Sequence, residues 1–292
     1  YIYIYIMYEL NPTIFKYKDK LHSLIRCETD VLNWNDSQLS YKLCKLDTNL
    51  NVLTSNQCTF KVNNEMFKIT DPRKSFKKSK CCIEDIKIIK HNINNKIIGV
   101  ANILLQQKNP RIFRVGLIEL NVDSATIELI KILEIDNMND TEKNWFLFKH
   151  NNKFLVIYKL CPICKIYELN LINYTLKKYI EFDTKDVVNK YSNLFKNVSR
   201  YYKDLYFTPS GILKNDNNEK YILIIKIKKN WFDYDYHKLI LNLSENKIYL
   251  LPELLFSGRK YYLNDTMHYG NRLIGCFGVN DQKYEIKCIT NI

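Results

Sequence analysis

The chain has 292 residues, 46% of them hydrophobic, and carries 44 Lys and Arg against 31 Asp and Glu for a formal net charge of +13. That is about twice the ~150 residues of a typical domain, so one large all-β domain or two small ones fit, and general disorder is excluded. Seven Gly and six Pro are too few for a collagen-like or linker-like chain, and no run reaches the ~18 apolar residues of a spanning helix. In chain order, the first six residues, Tyr-Ile-Tyr-Ile-Tyr-Ile, lack the basic stretch and small-residue cleavage site of a secretory leader. They match an in-frame TATATA repeat, which makes Met7 the expected native start; the alternative is a genuine strand. Without a leader, and with nine Cys scattered outside any framework spacing, reduced thiols and a cytoplasmic location are expected.

Hairpins then alternate along the chain. The first type spans Thr13–Arg26, Glu84–Leu105, Trp145–Leu160, Gly211–Ile227 and His268–Val279. The second spans Tyr41–Leu53, Phe113–Ile130, Lys165–Ile180 and His237–Leu251, with a last partial copy at Tyr284–Ile292. Each places apolar, Ile- and Tyr-rich runs around a polar turn of Asp, Asn or Gly, the pattern of a β-hairpin. Two hairpins make one four-stranded blade. The expected fold is therefore an all-β, five-bladed β-propeller, one domain over residues 1–292. The last copy stops after one strand, so residues around Met7–Asn11 are expected to close the ring. Stretches 63–80 and 228–236 read as loops, and Asp183–Asp204 as a helical insertion between blades.

The basic balance admits a nucleic-acid partner. No zinc-finger, RNP-type or basic-helix motif accompanies it, and Lys, Asn, Ile and Tyr are the residues of AT-rich codons, so nucleic acid is not expected. Cys161-Pro-Ile-Cys164 has half the spacing of a zinc site or redox pair, but no second pair of comparable spacing completes it. No metal and no cofactor is expected. Lys226 stands inside the apolar run Tyr221–Ile227, where an inward cation needs a partner and an outward one faces solvent.

Several short motifs, in order along nearly the whole chain, resemble the five-bladed propeller of glycoside hydrolase family 130 and its relatives. They are Asn11-Pro12 before a strand ending in Arg26, Glu84-Asp85 at the start of a blade, and Glu142-Lys143-Asn144-Trp145 followed by Phe148. Thr208-Pro209 before a strand, and Tyr269-Gly270 or Gly278-Val279-Asn280-Asp281 in the last blade, complete the series. The Glu-Lys-Asn-Trp tetrapeptide is typical of a branch known from large DNA viruses, bacteria and protists. Where the family has Glu-Asp-Pro-Arg this chain has Glu84-Asp85-Ile86-Lys87; Tyr206-Phe207 and Ile225-Lys226 replace a Gly-Gly and a Gly-His.

The resemblance implies action on a glycosidic bond, by hydrolysis, phosphorolysis or transfer, on a mannoside or other carbohydrate. Inorganic phosphate or a nucleotide sugar would be the co-substrate. It implies Asp85 as proton donor with Glu84 beside it, because the leaving oxygen must be protonated as the bond breaks. It also implies substrate contacts from Asn11, Arg26, Lys143, Trp145, His268 and Asp281. Arg26 and Lys143 would hold anionic groups and Trp145 would stack on a sugar. The alternative is a catalytically degenerate propeller that binds a glycan or a protein.

Overall fold

In the computed structural model, the described residues are 7–29, 39–62, 83–93, 96–106, 112–195, 207–214, 219–229, 233–259, 261–280 and 283–291. Five sheets follow one another along them. The first is β1 (Met7–Tyr17), β2 (Lys20–Thr29), β3 (Leu39–Leu46) and β4 (Val52–Gln57), paired in chain order. The second contains β5 (Thr59–Val62), β6 (Ile83–Ile93), β7 (Lys96–Gln106), β8 (Ile112–Asn121) and β9 (Thr126–Leu133), in the order β5-β9-β8-β7-β6. The third is β10 (Phe146–His150), β11 (Lys153–Lys159), β12 (Ile163–Asn170) and β13 (Thr175–Asp183). After α1 (Lys185–Lys190) and a 3-10 turn at Ser192–Phe195 come β14 (Thr208–Lys214), β15 (Lys220–Lys228), β16 (Asp233–Asn242) and β17 (Lys247–Arg259). The fifth sheet is β18 (Tyr261–Tyr269), β19 (Arg272–Val279) and β20 (Lys283–Asn291). These are the blades of an all-β, five-bladed propeller; the first four each contain the pair of hairpins expected from the sequence, and the fifth, three-stranded among the described residues, contains one hairpin and the single strand of the partial last copy.

The chain divides into two compact units, Tyr1–Lys143 with Cys276–Lys287, and Asn144–Gly275 with Cys288–Ile292. Each has its own apolar core. In the first unit Phe15, Tyr41, Ile83, Ile103, Ile118 and Ile127 pack together. In the second, Phe148, Leu155, Ile166, Leu223, Leu239 and Leu250 do so. The alternation of apolar and polar residues along each strand turns one set of side chains into these cores.

Met7–Leu10 lie opposite Arg26–Thr29 in the first blade and continue β1, whose register with β2 runs back from the turn pair Tyr17↔Lys20 and resumes beyond a bulge. Residues 1–6 and 63–80 lie outside the described residues, as does part of the expected helix 183–204. Two findings depart from expectation. First, β5 adds a parallel strand to the edge of the second sheet, from Thr59↔Thr126 to Val62↔Leu129. Second, residues from Asp233 onward, expected as loop, open β16.

Two leading strands in the first unit carry bulges at equivalent places. β1 breaks register between Leu10 and Thr13, and β6 between Glu84 and Lys87. Asn11 at φ 41° and Asp85 at φ 50° take the left-handed conformation there. Asn and Asp tolerate that region better than bulkier residues. A bulge re-aims its side chain out of the strand's alternation, a device frequent beside active sites.

Candidate active site

The two bulges bring Asn11 and Asp85 together. Asn11 Nδ2 donates to Asp85 Oδ1 at 2.6 Å. Arg26 stands on β2 opposite Leu10, the residue before the first bulge, and its guanidinium donates to the same oxygen at 2.8 Å. Asn102 stands on β7 opposite Glu84, the residue before the second bulge, and its Nδ2 donates to Asp85 Oδ2 at 3.3 Å. The two blades thus repeat one device: a bulged polar residue, and a polar partner from the neighbouring strand. Oδ1 takes two short bonds and Oδ2 a longer one. The Asp85 side chain keeps 25% of its surface exposed while Arg26 keeps 12%, so the acid reaches solvent more than the cation that holds it.

Gly278, within the same unit, shapes the seat of Asn11. A Cβ there would run into Asn11 Oδ1. This glycine therefore serves close approach.

Lys143 joins the group through Glu84, donating to Oε2 at 3.2 Å. Its ammonium also lies 3.4 Å from the centroid of the Phe113 ring, a cation–π contact. The segment before it is pinned to β8. Phe113 N–H donates to Asp140 O and Glu142 N–H to Phe113 O, and Arg114 donates to the carbonyls of Asn139 and Asp140. Glu142 is buried and accepts from the Asn139 backbone N–H at 2.7 Å. Its role is to shape this turn.

Of the expected site residues, Asn11, Arg26, Glu84, Asp85 and Lys143 form one connected cluster. Trp145 is 2% exposed and stands edge-on to Tyr158 at 5.2 Å. The expectation that its face stacks on a sugar meets a buried, packed ring. His268 is exposed near the end of β18 in the second unit, and Asp281 lies outside the described residues. Lys226 is half-buried on β15, 5.9 Å from the Tyr234 ring centroid. Cys161 and Cys164 are buried, and burial pushes the Cys164 thiol well up, away from the thiolate form of a nucleophile.

Two residues escaped sequence reading. Asn102 is the one amide in the apolar run Ile97–Leu105 and is 4% exposed; a lone buried amide in such a strand needs a partner, and that was its signal. Lys87, read as the loss of an arginine, is buried at 7% exposure.

No family model matches the chain, and no curated protein matches it in sequence. Its fold does match solved structures. One comes from the GH130 family of mannoside phosphorylases, described as containing glycoside hydrolases that target β-1,2-mannosidic linkages in Candida mannan. It superposes with a TM-score of 0.66 at 10% identity over 96% of this chain and 84% of that one. The fold is theirs. The β-1,2-mannobiose phosphorylase of Listeria innocua, bound to β-1,2-mannobiose, gives 0.62 at 11% identity over 97% and 89%. A GH43_1 enzyme of Xanthomonas citri complexed with xylose gives 0.59 at 7% identity over 97% and 86%. These propellers are glycoside hydrolases and phosphorylases, and at such identities they establish architecture, with activity left to the residues.

Proposed function

We propose that the chain is a carbohydrate-active propeller that acts on a glycosidic bond, with Asp85 as proton donor to the leaving oxygen and a β-mannoside as substrate class. The observation that carries this reading is a partly exposed carboxylate on a strained bulge, held by three donors from three different strands. A general acid must be fixed within hydrogen-bond reach of the leaving oxygen. Asn11 and Arg26 fix Oδ1, which leaves Oδ2 as the oxygen to carry the proton. Glu84 holds Lys143 at the edge of the group, and Arg26 and Lys143 are the cations assigned to an anionic co-substrate, inorganic phosphate or a nucleotide sugar. The test is incubation with a panel of β-mannosides, alone, with phosphate and with nucleotide sugars, followed by product analysis of wild type and Asp85→Asn. Product from the wild type that persists in the variant removes Asp85 from the role.

One observation favours a second reading. A carboxylate bonded to a guanidinium and two amides is stabilised in its charged form, which suits a brace as well as an acid. In that reading the propeller binds a glycan or a protein without turnover, and Asp85→Asn alters binding alone.

A further inference from the structure

At the other end of β1, the hairpin turn opens into a cleft of about 300 Å³ within the first unit, the lower end of the range for small-molecule sites. Lys18 and Asp19 form a two-residue turn, both at positive φ (45° and 61°), which fits a tight hairpin between Tyr17 and Lys20. The turn sets Lys18 and Lys20 at the rim. Lys45 on β3, Asn56 on β4, His22 on β2 and Asp123 in the β8–β9 turn complete the polar lining.

The charges there do not balance. Lys18 donates to both oxygens of Asp123, at 3.2 and 3.0 Å. Lys20 and Lys45 have no carboxylate at ion-pair distance among the described residues. Three lysines against one aspartate leave an excess of two positive charges in one concave space. His22 reports that field. It is 8% exposed, and its Nδ1 faces the Lys20 carbonyl at 3.1 Å, so Nδ1 carries the proton and Nε2 is the titrating nitrogen. Burial holds its pKa below the ordinary imidazole value; Lys45 and Lys20 add to that, against the Lys20 carbonyl and Asp123.

We propose that this cleft binds the phosphate group of a small molecule, with Lys20 and Lys45 as its charge partners. A phosphate monoester carries close to two negative charges at neutral pH, which matches the excess. Ammonium groups recognise it as point charges, and the Asn56 amide supplies a neutral donor. The site is separate from the Asp85 cluster, which gathers at the Asn11 bulge near the middle of the same strand, and the proposal does not rest on glycosidic activity.

The test uses the full chain at low ionic strength, with inorganic phosphate and glucose 6-phosphate as probes, and follows the His22 ring signals by NMR. His22→Gln assigns those signals. The groups facing the ring are Tyr17, Lys20, Lys45 and Asp123, so an added dianion is the new charge it senses. Binding of either probe is expected to raise the His22 midpoint by roughly half a pH unit or more. The Lys20→Gln/Lys45→Gln pair is expected to weaken that binding about tenfold. Response to both probes marks a site for the free anion; response to the sugar phosphate alone marks a site for the ester. A His22 midpoint that neither probe moves overturns the proposal, as does equal affinity in the double variant. Phosphate binding that Lys143→Gln abolishes while His22 stays unmoved also overturns it, by placing the anion at the other cluster.

Discussion

At the Asn11 end of β1, cations and carboxylates are matched: Arg26 stands 2.8 Å from Asp85 and Lys143 3.2 Å from Glu84. At the Tyr17 end, Lys16 is matched to Asp19 and Lys18 to Asp123, whereas Lys20 and Lys45 have no carboxylate at ion-pair distance among the described residues. The same eleven-residue strand therefore carries two kinds of electrostatics, one at its bulge and one at its turn. Matched pairs that are mostly covered fix side chains in one geometry and project little field. Unmatched lysines at a rim project field into solvent and attract anions, with a strength that falls as salt is added. The first arrangement suits positioning and the second suits capture.

The largest expected effect is at the matched end. Asp85→Asn removes the proposed acid and should lower any glycosidic turnover by about 10²–10⁴-fold, measured by product formation at saturating substrate, with a near-native circular dichroism spectrum. Trp145→Ala sets the scale for a residue that belongs to the core. It should destabilise by about 3–5 kcal/mol in a denaturant titration, whereas a sugar-stacking ring at the surface would show its effect on substrate affinity alone. Gly278→Ala presses a methyl group on Asn11 and should cost about 1–3 kcal/mol, the range for overpacking; Asn11→Gly in the same chain should recover part of it.

The unmatched end gives smaller effects of different kind. Because His22 is held below its ordinary pKa, the unfolded chain takes up its proton first as pH falls. Its contribution to stability is intact above about pH 6.5 and is lost progressively below it, until the folded-state midpoint is passed. His22→Gln should flatten that acid limb in thermal melts between neutral pH and pH 5. Asp123→Asn should leave the melting temperature unchanged within error, because the Lys18 pair is exposed and screened and the amide oxygen can still accept from the Tyr17 hydroxyl, which donates to Asp123 at 3.0 Å. The same variant should tighten phosphate binding two- to threefold by freeing Lys18, on the order expected for one exposed charge pair.

The blades were legible because each repeats a local signal: two apolar runs around an Asn- or Asp-containing turn. Tyr41–Leu53 becomes β3 and β4, and His237–Leu251 falls within β16 and β17. β5 was not legible. Its four residues pair in parallel with a strand more than sixty positions away, and no local periodicity encodes a partner at that distance. The site was legible in part. Asp85 and Arg26 stood out as charges at strand ends, yet their meeting depends on two bulges, and the sequence marks only one with Asn-Pro. Trp145 misled because an aromatic residue after a charged turn has the same composition whether it faces a sugar or the core; only the placement of Tyr158 decides.

The bulges set what kinds of change the cluster can survive during divergence. A side chain in a regular strand can be replaced while its neighbours keep their faces. Asn11 and Asp85 instead owe their direction to one extra residue in each strand. Deleting Pro12 or Ile86 would restore regular pairing and send the polar group to the other face of its sheet. Lineages of this propeller are therefore expected to vary freely in residue type around these two positions while keeping the spacing between them and the hairpin turns constant, so that length, more than identity, is what selection conserves there.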